Sequence, residues 1–324
     1  MQPGVLDQPI TGRQAWTRDE VRESDYRVVL SDAARRELLD AVAALRRQPV
    51  PLLALRTDSF PLPLCRAAME QVRAILTDGL RFALLDRLPM EALSQDEAKA
   101  MYWMLSSMLA RPVAQKLDGT IVYDVHDTGL QALPGSGIRP DKTNIDLQFH
   151  NDNAYNTTMP EFVGLLCVRP AKDGGMSRVM SFATAHNALR ERHHEVLPRL
   201  YEPFWFDRQR EFHPGEAETF SAPVFIRDGD RLKARLSLHQ IRGGYALRGA
   251  IDNETTAALE AVREVFADES LQFRFRLEAG QIQYVANREI GHSRTEFHDH
   301  DEPERRRLLI RLWLRNEGAQ GYIG

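Results

Sequence analysis

The stretch Arg307-Leu-Leu-Ile-Arg311-Leu-Trp313-Leu-Arg315 constrains the fold of this chain more tightly than any other. It alternates strictly, and on a strand side chains two apart share a face. Arg307, Leu309, Arg311 and Trp313 therefore line one face, and Leu308, Ile310, Leu312 and Leu314 the other. Neither face reads as solvent-facing, so the strand belongs inside a barrel or between packed layers. An arginine held there needs an acid or an anionic ligand, because an unpaired buried charge is too unfavourable to keep. At ~3.3 Å of rise per residue, Arg307 and Arg311 stand about 13 Å apart, too far to grip one carboxylate together. They must serve two anions, or one anion and one protein acid.

The rest of the chain from Thr120 onward fits the same architecture. Ile121 to Tyr123, Ile145 to His150, Phe162 to Val168, Val179 to Phe182, Val224 to Ile226, Gln272 to Leu277 and Gln281 to Val285 are short apolar runs between turn residues. Many short strands imply a barrel or sandwich. Two helices interrupt them, Ala183 to about Tyr201 and a segment opened by Asp252 with Ala258, Leu259, Val262, Val265 and Phe266 inward. The loop Gly135-Ser-Gly137 reads as a turn.

Upstream, the pattern is helical. Ser31-Asp32 can cap a helix with Leu38, Leu39, Val42 and Leu45 on one stripe, ending at Gln48 to Pro51. Residues 64–78 and 94–110 read as further helices, with Phe82 to Leu85 a strand between them. Residues 1–30 lack a period and read as an extended arm. The expected organisation is one domain, residues 1–324: the arm, a helical support region over 31–110, and a mainly β core over 120–316 with helical insertions.

Length and composition bound the function. With 324 residues, 43% of them hydrophobic, the chain can bury a large core. A net charge of −4 from well-mixed acids and bases gives no field for nucleic acid. Cys65 and Cys167 each sit in apolar company, which points to buried thiols in a reducing, cytoplasmic setting. No targeting signal or membrane span is apparent, and the sequence is silent on whether the chain forms a homo-oligomer.

The chemistry is carried by Asp146-Leu-Gln-Phe-His150-Asn-Asp152. His150 and Asp152 lie two apart in an alternating segment, so both point into one space and can hold two corners of a metal. A third ligand must come from far away, and His292, just after an apolar run, supplies it. Two histidines and a carboxylate suit iron(II) and leave positions open for substrates. His298 and His300 compete with His292 but sit in a charged run, and His193 and His194 sit among charged helical neighbours, which reads as surface.

His150-Asn-Asp152, the Gly174-Gly175-Met176-Ser177 turn, Asn287-Arg288 followed by His292, and Arg307 with Arg311 on a final strand together resemble the iron(II)/2-oxoglutarate-dependent oxygenases of the taurine dioxygenase and clavaminate synthase-like superfamily. The resemblance covers roughly residues 80–316. It implies a double-stranded β-helix (jelly roll) core with flanking helices. It also implies that His150, Asp152 and His292 bind iron, that Arg307 and Ser177 hold the distal carboxylate of 2-oxoglutarate, and that Arg311 meets a substrate carboxylate. The implied reaction consumes dioxygen, decarboxylates 2-oxoglutarate to succinate and hydroxylates an unactivated C–H bond. With Asp152 present, a halide has no vacated ligand position. Desaturation or ring closure remains an alternative, as does, outside the family, a zinc hydrolase on the same three ligands.

For the substrate, Asp146 lies four residues before His150 on the same face and can meet an ammonium or hydroxyl; its alternative role is partner to an arginine. Arg311 and Asp146 together point to a small carboxylate-bearing molecule such as a free amino acid. Asn151, Asn153, Tyr155, Phe204 to Phe206 and a loop from His239 to Arg248 are further candidates for the pocket wall.

Overall fold

A computed structural model of the protein describes residues 4–131, 138–229 and 231–323. The turn expected at Gly135-Ser-Gly137 lies outside the described residues.

Two sheets face each other. The larger runs in the order Arg27–Val29, Phe82–Asp86, Ile282–Ala286, Phe162–Arg169, Leu308–Arg315 and Arg111–Val113, with Tyr123–Val125 also pairing the Leu308–Arg315 strand. The smaller runs Phe273–Phe275, Ser177–Ser181, Ile290–Arg294, Leu147–His150. Apart from the parallel pair Arg27–Val29 and Phe82–Asp86, neighbours are antiparallel. The result is the jelly-roll core with flanking helices that the family resemblance implied. Among the described residues, no helix is long and apolar enough to cross a membrane.

The final strand behaves as its alternation dictates. Leu308, Ile310, Leu312 and Leu314 pack outward into a cluster with Leu38, Val72, Met104 and Leu105 from three helices, Asp32–Arg47, Pro63–Asp78 and Gln95–Leu109. Its other face, with Arg307 just before it, turns into the space between the sheets, where Leu309 meets Val125 and Cys167. The helices start where their caps predict: Ser31, Ser94 and Asp252 each accept a backbone N–H through the side chain. Cys65 and Cys167 are buried and unpaired.

Several elements differ from the sequence-based expectation. The arm ends in a strand, Arg27–Val29, that extends the larger sheet, so the sheet reaches back before residue 120. The helix expected to reach Tyr201 stops at Arg192, and Pro198–Tyr201 forms a separate 3-10 turn. The segment from His239 to Arg248 is not a loop but a helix, Leu238–Arg248, packed on a hairpin of Pro203–Asp207 and Thr219–Pro223. A Cβ on Gly244 would lie 2.4 Å from the Trp205 carbonyl oxygen, so this glycine lets the helix approach the hairpin.

Candidate active site

The smaller sheet builds the centre. His150 ends the Leu147–His150 strand, and its cross-strand partner is His292, so register makes neighbours of residues far apart in sequence. The two rings lie 4.4 Å apart between centroids. Asp152 follows in a turn rather than on the strand, yet its Oδ1 stands 3.4 Å from His150 Nε2 and 3.6 Å from His292 Nε2. One ligand atom from each residue lies within 4.8 Å of the other two. Among the described residues this is the grouping of metal-ligating side chains, and His298 and His300 take no part in it. His193 instead faces Glu264.

Surrounding groups aim these three atoms. His150 Nδ1 is 2.9 Å from the Gln148 carbonyl oxygen; donating a proton there leaves the Nε2 lone pair free toward the centre. Trp313 Nε1–H donates to Asp152 Oδ2 at 2.6 Å, and Arg311 Nη1 approaches the same oxygen at 3.3 Å, so Oδ1 is the one left for an ion. The turn itself is clamped by Asn287, whose Oδ1 accepts from Asp152 N–H at 2.9 Å and whose Nδ2 donates to the Asp152 carbonyl at 3.0 Å. Asn151 donates to the Asn287 carbonyl in return. Burial alone would raise the Asp152 carboxyl, but Arg311 and the two histidines hold it well below the usual range. Burial, then His150, pushes the His292 imidazole down. An ionised carboxylate and a neutral imidazole aimed at one point, with no proton between them, fit a divalent cation.

The two inward arginines have different environments. Arg311 Nε donates to Gln115 Oε1 at 2.7 Å, and Nη1 pairs with Asp141 at 2.9 Å. Burial opposes its charge, but Asp152 and Asp141 raise its pKa. Arg307 is 5% exposed, its Nη1 has no hydrogen-bond partner among the described residues, and it lies over the Phe297 ring at 5.0 Å. Burial pushes it down to about 10. Arg311 therefore has its protein acid, while Arg307 forms no ion pair among the described residues.

The three centre residues separate two cavities. A small one of about 50 Å³ is lined by Ser177, His292, Arg294, Arg307 and Arg311. A larger one of about 280 Å³ is walled by Asp141, Gln148, Tyr155, His239, Gln240 and Arg311, with His150 and Asp152 at its base. Asn151 and Asn153 also line it, as expected. Phe204 and Phe206 do not: they are buried in the hydrophobic core, and of the helix that follows Ser237 only the first turn reaches the cavity. Asp146 lines the cavity, half-exposed, with both oxygens engaged by Arg178 at 2.7 and 2.9 Å. Asp141, in the short 3-10 turn Pro140–Lys142, and Gln115, in a loop, carry no periodic signal in the sequence, and Trp313 lies on the predicted face with a role that alternation does not reveal.

Two cavities thus share the His/Asp/His centre, and the smaller is lined by an arginine without an acidic partner among the described residues. The sequence model of the taurine catabolism dioxygenase TauD, TfdA family matches residues 18–313. The chain belongs to that family. It is an iron(II)- and 2-oxoglutarate-dependent oxygenase, and the centre described above fits the metal this chemistry needs. The chain is 28% identical over 323 residues to FR-33289 synthase of Streptomyces rubellomurinus (strain ATCC 31215), covering 98% of this chain and 94% of that one. It is 30% identical over 185 residues to L-asparagine oxygenase of Streptomyces coelicolor (strain ATCC BAA-471 / A3(2) / M145), covering 56% and 50% of the two chains. The crystal structure of asparagine oxygenase (AsnO) shares the fold with a TM-score of 0.67 at 23% identity, over 92% of this chain and 98% of that one. The non-heme iron oxygenase OrfP, crystallised with Fe and alpha-ketoglutaric acid, gives 0.65 at 15%, over 90% and 94%.

Proposed function

We propose that this TauD, TfdA family member hydroxylates an unactivated C–H bond of a small, carboxylate-bearing substrate, a free amino acid or a close derivative, in the cytoplasm. In this reading His150, Asp152 and His292 hold the iron, Arg307 and Ser177 receive the distal carboxylate of 2-oxoglutarate, and the larger cavity takes the substrate. The observation that carries it is the buried Arg307 Nη1, without a hydrogen-bond partner among the described residues, in the small cavity behind the His/Asp/His centre.

Iron with bound 2-oxoglutarate supplies the oxidising chemistry; the protein's part is placement and exclusion of water. Arg307 and Ser177, which line the small cavity with His292, would hold the distal carboxylate of the cosubstrate. Trp313 and Arg311 engage Asp152 Oδ2, so Oδ1 is the oxygen that would hold the metal.

The larger cavity, at about 280 Å³, lies at the small end of the range for ligand pockets, which favours a compact substrate. Its wall presents the Arg311–Asp141 ion pair, with Asp146 further out. A zwitterion matches such a wall: its carboxylate takes up Arg311, and its ammonium meets Asp141 or Asp146. Asparagine oxygenase among the relatives agrees with an amino-acid substrate. Desaturation or ring closure would use the same site. A zinc hydrolase would have no use for an unpaired Arg307.

The test is succinate release from 2-oxoglutarate with iron(II), ascorbate and air, across a panel of free amino acids, their des-amino analogues and the corresponding amines, which lack the carboxylate. Substrate-triggered release by an amino acid supports the reading. Release triggered only by substrates without a carboxylate would overturn the substrate class.

A further inference from the structure

The small cavity holds a second buried guanidinium that the proposed function does not use. Arg294 lies two residues after His292 on the same strand, so its side chain faces the same interior. Its cross-strand partner is Ser177, the hydroxyl expected to meet the cosubstrate's distal carboxylate. Arg294 and Arg307 both stack on Phe297, at 4.5 and 5.0 Å from the ring centroid.

Arg294 is held in place by backbone carbonyls, those of Thr143 at 3.0 Å and Ile145. Its Nε is buried without a hydrogen-bond partner, like Nη1 of Arg307. Among the described residues neither guanidinium forms an ion pair with an aspartate or glutamate, although both are about 95% buried. Two like charges sharing one aromatic ring, without a protein acid, are unfavourable unless an anion joins them. The other arginine of this cavity, Arg311, is already paired with Asp141.

We propose that Arg294 is a second cationic determinant of the cosubstrate pocket, acting with Arg307 and Ser177 to select a 2-oxo acid that carries a distal carboxylate. This rests on the reading of the small cavity as the 2-oxoglutarate pocket. Arg307 supplies the approach from the final strand and Arg294 from the strand bearing His292. The selectivity for a dicarboxylate is then built into the same strand as a metal ligand.

The experiment is anaerobic calorimetry on the iron(II)-loaded full chain, wild type against Arg294→Gln. The two ligands are 2-oxoglutarate and 2-oxopentanoate, which has a methyl group where 2-oxoglutarate has its distal carboxylate. Loss of a hydrogen-bonding cation facing a carboxylate should weaken 2-oxoglutarate about 10- to 100-fold. Binding of 2-oxopentanoate should change by less than about threefold. An equal loss for both ligands, the signature of a merely structural pin on residues 143–145, or no loss for either, overturns the proposal. If the glutamine variant fails to fold, Arg294→Lys, which keeps the charge and gives up the fork to the two carbonyls, should retain most of the preference for 2-oxoglutarate. Its complete disappearance in the lysine variant would overturn the proposal as well. A wild type that binds neither ligand would sink the pocket reading itself, a result distinct from either variant outcome.

Discussion

Trp313 donates its indole N–H to Asp152 Oδ2 at 2.6 Å, which ties the final strand of the larger sheet to the metal-ligating turn beside the smaller one. The bond fixes which carboxylate oxygen is presented to the ion, as hydrogen-bond partners behind metal ligands generally do. Trp313→Phe keeps most of the apolar packing and removes only the donor. It should weaken iron(II) binding about 10-fold. Titration of the apoprotein with metal, read by calorimetry, checks this; an unchanged affinity would mean that Arg311 alone orients the carboxylate.

Asn287 is the second restraint on that turn, bonding both the N–H and the carbonyl of Asp152 and also the Pro160 carbonyl. All these groups are buried, so Asn287→Ala leaves three backbone polar groups without partners. The expected loss is about 2 to 4 kcal/mol of stability, together with weaker metal binding. Asn287→Asp retains the acceptor for Asp152 N–H but sets a buried carboxylate against the Asp152 and Pro160 carbonyl oxygens, and should be at least as destabilised as alanine in urea denaturation of the apoprotein.

Much of this was legible from sequence because it depends on local periodicity or caps. Ser31, Ser94 and Asp252 mark helix starts by side-chain chemistry alone, and the Leu308–Arg315 strand declares its two faces by alternation. The Ile290–Arg294 strand does not: Gly291-His-Ser-Arg has little apolar content, and it is a strand because Ser177–Ser181 and Leu147–His150 pair with it on both sides. The Leu238–Arg248 helix is masked by Gly243 and Gly244, of which Gly244 faces the backbone of Trp205 and Phe206 and Gly243 the Asp207 side chain. The partner of Arg311 was equally invisible, since Asp141 precedes the strand in a stretch without period.

His186, in the Phe182–Arg192 helix, is fully buried, with Nε2 2.7 Å from the Tyr201 hydroxyl. Burial, reinforced by Arg190, pushes its pKa down from 6.5 to about 4. The unfolded chain therefore takes up a proton on this residue at a higher pH than the folded one. Its contribution to stability is complete above pH 6.5, declines as the pH falls and is lost by about pH 4, an effect of roughly 3 kcal/mol. His186→Gln should flatten that part of the profile. The check is urea denaturation of both apoproteins at intervals from pH 7.5 to 4; parallel profiles would remove His186 as the cause.

Arg311 and Asp141 form an ion pair buried on both sides, 2.9 Å apart, at the junction of the two cavities. Breaking such a pair from one side leaves a buried charge uncompensated, which typically costs about 3 to 5 kcal/mol. Here the stranded charge would be Arg311, whose remaining acidic contact is Asp152 Oδ2 at 3.3 Å. Asp141→Asn should therefore destabilise the apoprotein by about 3 kcal/mol, and should also draw Arg311 toward Asp152, in competition with the metal. Arg311→Gln made in the Asp141→Asn background removes the stranded charge, so the double variant should be more stable than Asp141→Asn alone. A double-mutant cycle followed by urea denaturation measures this coupling. Additive losses would show that the two side chains, although in contact, stabilise the fold independently, and that the wall of the larger cavity is not held by their mutual attraction.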